Sequence, residues 1–132
     1  MKGYSIDIEK ETLKNTYFRK VLYTAKHSQL VLMCLKPGEE IGAETHSHLD
    51  QFFRFEQGEG EVVIDGNRHK VRDGSCAIVP AGALHNVINT SGKSDLKLYT
   101  IYSPPEHIDK VVRKTKQDAI AMPEEYDGKT TE

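Results

Sequence analysis

The sequence predicts an all-β fold, a small sandwich or barrel formed by a single domain. Turn signals rich in glycine, proline and asparagine recur along the 132 residues, at intervals of roughly 7 to 12 residues after the first gap. Short β-branched or aromatic runs lie between these turns, which is typical of the strands of all-β domains. A chain of this length has room for one modest core but not for a second domain.

Nine segments between the turns are predicted to be strands. The strongest hairpin signal is Asp65-Gly66 between two apolar runs, because these residues adopt the positive φ values that a tight turn needs. The strands are expected at 18–24, 29–35, 41–46, 51–56, 61–65, 68–71, 77–79, 85–89 and 96–102. Residues 18–103 are therefore the predicted barrel domain, preceded by a segment at 1–17 and followed by a loop, a short helix and a tail at 104–132.

The two ends of the chain differ from the barrel. Residues 1–16 are polar, with Leu13 as their expected anchor. Apolar residues between 108 and 122 recur at spacings of three and four, which predicts a helix. A capping signal at Thr115 favours a short helix that runs to Met122, and a frayed tail is expected after it.

Composition excludes several classes of protein. The chain has 18 Lys+Arg against 20 Asp+Glu, a net charge of −2, so no basic surface for nucleic acid is expected. No apolar run approaches the ~18 residues of a membrane span, and the polar N-terminus lacks the apolar core of a signal peptide. A cytoplasmic protein is expected. Cys34 and Cys76 lie in apolar runs and are interpreted as small hydrophobic residues.

Three of the six histidines are grouped by their positions, and they predict a metal site. Alternate residues of a strand point to the same face, so Glu44, His46 and His48 share a face if the strand continues that far. Two imidazoles on one face can bind one metal ion. Gln51 offers a further amide oxygen, and a tight turn before His85 would bring it to the same cavity.

The same residues resemble the two sequence motifs of the cupin superfamily. Residues 46–51 (HSHLDQ), with Gly58 seven residues later, resemble the first motif, which is H-x-H, a short gap, Glu, six residues and Gly. Residues 74–89 resemble the second, G-x5-P-x-G-x2-H-x3-N, and meet every fixed position. The stretch at 98–107 is similar to that of small single-domain cupins often labelled as similar to the cupin-type phosphomannose isomerases.

Two positions depart from the first cupin motif. Gln51 stands where the motif usually has Glu. The glycine expected six residues before His46 is also absent, since position 40 is Glu, with Gly38 and Gly42 on either side. The second departure is interpreted as a local variation of the turn.

The resemblance implies a jelly-roll barrel, a metal ion inside it and a homodimer. The expected ligands are His46, His48, Gln51 and His85, which hold one divalent transition metal per chain: Mn, Fe, Ni, Cu or Zn. Because these donors are neutral, the ion would keep its full charge and favour Lewis-acid chemistry. Glu44 is a candidate general base, a partner that orients an imidazole, a ligand in place of His48, or a solvated carboxylate at the rim.

Three functions stay open at this point. The first is sugar or sugar-derivative isomerisation of a small hydroxy-carbonyl compound, with Glu44 or Tyr102 moving a proton. The second is a dioxygenase, ranked lower because a neutral glutamine replaces the usual carboxylate. The third is a binding module for a small molecule or metal, without catalysis. A phosphorylated substrate is disfavoured because few basic residues are predicted in the site.

Two aromatic pairs complete the sequence predictions. Phe53 and Phe55 share a face with Gln51 and are expected to line the barrel interior as core residues. Phe52 and Arg54 then point outward, which is compatible with a dimer interface.

Overall fold

The computed structural model describes residues 1–132, which form nine strands and two short helices. In chain order these are α1 (Ile8–Lys14), β1 (Arg19–Thr24), β2 (Gln29–Leu35), β3 (Asp50–Gln57), β4 (Glu59–Ile64), β5 (Asn67–Arg72), β6 (Cys76–Val79), β7 (His85–Asn89), β8 (Leu96–Ser103), β9 (Val112–Arg113) and α2 (Lys116–Ala121). None of the helices is long and apolar enough to cross a membrane.

The strands form two antiparallel sheets with the core between them. The larger sheet has the order β6-β3-β8-β2-β1-β9, and the smaller has the order β5-β4-β7. Phe53 and Phe55 of the larger sheet and Val62 and Val87 of the smaller sheet are fully buried in one cluster of 16 residues. The predicted all-β jelly roll with a short C-terminal helix is confirmed, and so is the interior position of the two phenylalanines.

Local chemistry explains the strand boundaries. Eight of the nine predicted strands are present, with ends that shift by at most two residues. Asp65 and Gly66 have positive φ values of 47° and 80°, as the tight β4–β5 hairpin requires. The exception is the predicted strand 41–46, which makes only one isolated bridge to β7, at Glu44. Gly42, with a φ of 109°, interrupts the extended backbone there.

The N-terminal segment contains a helix that its polar sequence did not predict. Asp7 caps α1, since its side chain accepts a hydrogen bond of 3.1 Å from the Lys10 N–H. Thr12 is fully buried, whereas Leu13 is 36% exposed. The expectation that Leu13 anchors this segment was therefore wrong, because the seven-residue helix turns Thr12 toward the protein.

The C-terminal helix is confirmed in its second half only. The Thr115 hydroxyl accepts a hydrogen bond of 3.0 Å from the Asp118 N–H, and α2 follows directly. Residues 108–111 instead form a turn, and β9 pairs with β1. The apolar residues before Thr115 therefore lie in a segment that packs beside a strand. The β-branched valines of this segment suit an extended conformation.

We call residues 116–132 the C-terminal strap. The frayed tail expected at its end is not present. The Tyr126 N–H donates to the Glu106 carbonyl, and the Thr131 N–H donates to the Thr24 carbonyl, both at 2.9 Å. The strap is therefore tied back to the barrel at two points.

The two cysteines lie in different surroundings. Cys34 is buried, and burial raises the pKa of its thiol to about 11, which makes it an unreactive core residue. Cys76 is free and exposed on β6, so only Cys34 packs in the core as a small hydrophobic residue does.

Candidate metal centre

Glu44, His46 and His85 form one cluster of side chains. Their potential ligand atoms all lie within 4.8 Å of one another. Glu44 and His85 face each other across an isolated bridge, in which each backbone N–H donates to the other residue's carbonyl at 2.9 Å. His46 lies two residues beyond Glu44. The backbone pairing therefore places a carboxylate beside an imidazole.

The ring of His85 is oriented by its own backbone turn. Its Nδ1 atom lies 3.0 Å from the Ala83 carbonyl oxygen, and a carbonyl can only accept a hydrogen bond. We therefore assign the proton to Nδ1, which leaves the lone pair of Nε2 free. That Nε2 atom is buried without a hydrogen-bond partner, 3.7 Å from Glu44 Oε1.

The ring of His46 lies between two carboxylates. Its Nε2 atom is 3.4 Å from Glu44 Oε1, and its Nδ1 atom is 3.6 Å from Glu106 Oε2. The Glu44 carboxylate raises the pKa of His46, while burial opposes the shift. The Nε2 atom is buried without a hydrogen-bond partner, and it would offer a lone pair to a metal ion in the tautomer protonated at Nδ1, the atom that faces Glu106.

Glu44 is ionised in this arrangement. Burial acts to raise its pKa, but the nearby imidazoles of His46 and His85, 3.4 and 3.7 Å from Oε1, outweigh burial and hold the pKa at about 2. Its side chain is 37% exposed, and the carboxylate supplies the one formal charge among the three clustered groups.

Gln51 lies near the start of β3 and is buried, with 1% of its surface exposed. Its amide nitrogen donates to the Thr100 hydroxyl at 3.0 Å, which orients the side chain. The amide oxygen Oε1 has no hydrogen-bond partner. A buried acceptor left unpaired costs about 1–3 kcal/mol, so this oxygen is available to a ligand.

These donors suit a divalent transition-metal ion. Imidazole nitrogen, carboxylate oxygen and amide oxygen are all ligand types that such ions accept in proteins. The Nε2 atoms of His46 and His85 and the Oε1 atom of Gln51 are buried without partners, and the Glu44 carboxylate lies beside both imidazoles. The residues present therefore fit a metal ion.

His48 lies apart from this cluster. Its side chain is exposed, and it is not among the residues whose ligand atoms converge. Residues 45–49 are not part of a strand, so the alternation that would align His48 with His46 does not operate. The expectation that the two histidines share a face is corrected on this ground.

A chain of hydrogen bonds runs from Tyr102 away from the cluster. The Tyr102 hydroxyl lies 3.2 Å from His107 Nε2, and His107 Nδ1 lies 2.8 Å from Glu124 Oε1. Because a carboxylate only accepts, Nδ1 carries the proton and Nε2 accepts from the phenol. Burial raises the pKa of Tyr102 and lowers that of His107, which favours both neutral forms.

The cavity beside the cluster has a volume of about 210 Å³. Its lining includes Glu44, His46 and Tyr102, and three charged residues that the sequence analysis did not single out: Arg19, Glu106 and Glu124. Arg19 could have been found from its spacing of two from the core residue Val21. Glu106 and Glu124 lie in irregular segments, where no periodicity indicates a direction.

Comparison with known proteins identifies the family. The cupin domain family matches residues 31–102, which is more than half of the chain. The chain belongs to the cupin family. Protein YrkC of Bacillus subtilis (strain 168) is 46% identical to this cupin over 126 residues, which are 91% of this chain and 67% of that protein.

Two further relatives agree with this assignment. Protein L612 of Acanthamoeba polyphaga mimivirus is 46% identical over 107 residues, covering 79% of this cupin and 67% of that protein. The crystal structure of BH2720 from Bacillus halodurans is 42% identical and superposes with a TM-score of 0.88, covering 92% of this chain and 96% of that chain. Similarity therefore extends over nearly the whole cupin, beyond the barrel strands.

The first cupin motif aligns better when its two histidine positions are taken by Glu44 and His46 than when they are taken by His46 and His48. With Glu44 and His46 in the two histidine positions, the motif glycine six residues earlier is Gly38. Gln51 then follows His46 by five residues, and Gly58 ends the motif. A Cβ atom at Gly58 would lie 2.5 Å from the Asp95 carbonyl oxygen, so this position requires glycine. The missing glycine was the signal that the first alignment was displaced by two residues.

Proposed function

We propose that this cupin is a metal-dependent enzyme that acts on a small hydroxy-carbonyl compound by isomerase-type chemistry. Its metal ligands in this proposal are Glu44, His46, Gln51 and His85. The observation that supports it is the set of three buried, unpartnered nitrogen and oxygen atoms on His46, Gln51 and His85, together with the carboxylate beside the two imidazoles.

The energetics favour a bound ion. Each unpartnered buried polar atom costs about 1–3 kcal/mol, and an ion that binds all three removes this cost at each of them. Glu44 also cancels one unit of the ion's charge, so binding should be tighter than for the all-neutral ligand set that includes His48. Manganese, iron, nickel, copper and zinc all accept these donors. When bound, such an ion polarises a carbonyl oxygen as a Lewis acid.

Proton movement is assigned to two side chains that line the cavity. Isomerisation requires a base that takes a proton from one carbon and returns it to the neighbouring carbon. Glu106 is our candidate base, since its side chain is 22% exposed and it lines the cavity. Tyr102 keeps its proton because burial raises its pKa. Its hydroxyl is our candidate donor to a substrate oxygen, toward which it would turn from His107 Nε2. Glu44 serves as a ligand in place of the base role considered from the sequence.

The metal site is tested by elemental analysis of wild-type protein, His46→Ala and His85→Ala. We expect about one transition-metal ion per chain in the wild type and loss of most of it in both variants, because each removes one donor. His69→Ala is the matched control, since His69 is exposed on β5. Stoichiometric metal in both site variants would contradict the ligand assignment.

The reaction is tested in D2O without oxygen. Manganese- or zinc-loaded protein is incubated with aldoses, ketoses and uronates, and deuterium incorporation next to the carbonyl is followed by NMR. Glu106→Gln and Tyr102→Phe should keep the metal and lose activity by about 10²-fold or more, whereas Tyr99→Phe should stay active. Ligand-dependent thermal stabilisation with no exchange would replace the proposal with a non-catalytic binding module.

A dioxygenase is the second candidate, and one observation favours it. Two imidazoles and one carboxylate are the donors of many non-haem iron oxygenases, and Glu44 supplies the carboxylate that the neutral ligand set lacks. Oxygen consumption by iron-loaded protein with a substrate, absent from zinc-loaded protein, would establish this candidate over isomerisation.

A further inference from the structure

Arg19 is a largely buried arginine that lines the cavity beside the candidate metal centre. In the β1–β2 register Arg19 lies opposite Met33, and Val21 lies opposite Val31. Met33 and Val31 belong to the core, so the side chain of Arg19 is on the core-facing side of β1. Only 14% of that side chain is exposed, and its Nε atom has no hydrogen-bond partner. A buried guanidinium requires an anion nearby.

A second arginine and an imidazole complete a small anion site around Arg19. Arg113 lies directly opposite Arg19 in the β1–β9 pair, and like charges in that position repel. Glu124 lies against both, with Oε1 at 3.4 Å from Arg19 and Oε2 at 3.3 Å from Arg113. His107 Nδ1 is 2.8 Å from Glu124 Oε1. Three donor groups therefore converge on one carboxylate.

Glu124 fills this site loosely. Its contacts to the two arginines are longer than the ~2.7–2.9 Å of a well-formed arginine–carboxylate pair, and its Oε2 atom makes no hydrogen bond of acceptable geometry. The residue follows α2, a helix with no buried residues. Moving this part of the C-terminal strap would therefore expose little apolar surface, and a free carboxylate of better geometry could take the same position.

We propose that Arg19, with Arg113 and His107, binds the carboxylate group of the substrate, and that Glu124 occupies this subsite when no substrate is bound. Arg19, His107 and Glu124 line the same cavity as Glu44 and His46, so one small molecule can reach both the subsite and the metal centre. The inference rests on the proposed function and narrows its substrate class to hydroxy-carbonyl compounds that carry a carboxylate. A phosphate dianion is disfavoured because the carboxylates of Glu44 and Glu106 lie in the same cavity.

The test is calorimetric titration of zinc-loaded and metal-free protein with glycolate. Ethylene glycol is the uncharged control, and inorganic phosphate is the competing anion. Glu124→Gln removes the internal carboxylate and should tighten glycolate binding about tenfold, whereas Arg19→Gln should weaken it at least tenfold, since a hydrogen bond to a charged group is lost. Glu125→Gln and Arg68→Gln, at exposed positions, should leave it unchanged.

Folding and metal content are controlled separately. Arg19→Lys keeps the charge but lacks the planar fork, so a folded lysine variant should bind glycolate more weakly than wild type. Metal stoichiometry is measured for every variant. If the wild type binds no metal, the proposed function fails. Glycolate binding by the metal-free wild type and by Glu124→Gln can still be compared, and this comparison decides whether the subsite binds a carboxylate.

Three results would overturn the subsite. Equal glycolate binding by wild type, Arg19→Gln and Glu124→Gln would mean that glycolate is held at the metal alone. Failure of Glu124→Gln to tighten binding would mean that Glu124 only ties down the C-terminal strap. Arg19-dependent phosphate binding tighter than glycolate binding would replace the carboxylate with a phosphate.

Discussion

Single residues determine the chemistry available at the candidate site. Glu44 is held beside His85 by two backbone hydrogen bonds of 2.9 Å, so a carboxylate enters a cluster expected to be neutral. Gln51 adds a buried amide oxygen without a partner. The proposed ligand set therefore carries one negative charge, and its charge can be changed by a substitution at Gln51.

Gln51→Glu is expected to tighten metal binding by roughly tenfold or more, because a second carboxylate attracts the ion more strongly than an amide does. The metal-free variant should be less stable than the wild type, since two carboxylates would then share one buried site. Chelator competition measures the affinity, and urea unfolding measures the stability. Gln57→Glu, at the end of β3, is the control. A clear loss of metal occupancy in Gln51→Glu would contradict Gln51 as a ligand.

At the scale of elements, the C-terminal strap closes one part of the cavity. It is tied by the backbone bonds of Tyr126 and Thr131 and by the Glu124 carboxylate, whose side chain is only 4% exposed. The titratable and charged groups around His107 and Glu124 are Tyr102, Glu106, Arg19 and Arg113. Attachment of the strap therefore depends on the protonation of His107 and Glu124.

Acid is expected to loosen the strap. Burial lowers the pKa of His107 below its ordinary 6.5. Protons therefore bind more strongly when the strap is detached than when it is attached, so detachment is favoured as the pH falls below 6.5. Burial acts to raise the pKa of Glu124, but His107 and the arginines outweigh it and hold the pKa below 4.5. The stabilisation from Glu124 is thus present above pH 4.5 and is lost as the pH falls through its lowered pKa. Both groups act in the same direction.

Hydrogen exchange measured between pH 7 and pH 4 checks this expectation. After correction for intrinsic rates, the Tyr126 and Thr131 amides should lose protection as the pH falls, whereas the Val31 amide in β2 should not. Glu124→Gln should weaken protection already at pH 7. Protection of the strap that does not change with pH would contradict the assigned ion pairs.

At the scale of the whole molecule, the larger sheet presents an apolar patch on its outer face. Phe52 lies opposite Ile78 and Ile101 in the strand registers, and its ring centroid is 6.4 Å from that of Tyr99. Ile78 is 64% exposed. The α1 helix packs against β3 and β8 but leaves Ile78 uncovered. This patch contains Phe52, which the alternation of β3 predicted to point outward.

We expect a homodimer that buries this patch. Light scattering after size exclusion should give twice the chain mass of 14.9 kDa, because paired apolar faces lose water-exposed area. Ile78→Asp should shift the mass toward that of one chain without loss of metal. Lys70→Asp, at an exposed position on β5, is the control. A wild-type mass of one chain at micromolar concentration would contradict the dimer.

The sequence by itself predicted the strands of the barrel and the β4–β5 hairpin, and it singled out candidate site residues. Alternation within β3 and β7 places Phe53 in the core, and Gln51 and His85 were singled out from the motifs that resemble those of cupins. The core position of Phe53 is confirmed because periodicity specifies the direction of a side chain within a regular element, whereas the roles of Gln51 and His85 stay predictions. The same reasoning failed between residues 41 and 49, where Gly42 interrupts the strand and no period applies.

Only the tertiary structure decided which residues meet in the cavity. Glu44 rather than His48 lies beside His46 and His85, because the bridge to His85 orients the irregular segment before β3. The tertiary structure also brought Arg19 to Glu124, which is 105 positions away in the chain. Such long-range neighbours depend on how strands and the strap pack, and no local pattern of residues encodes that packing.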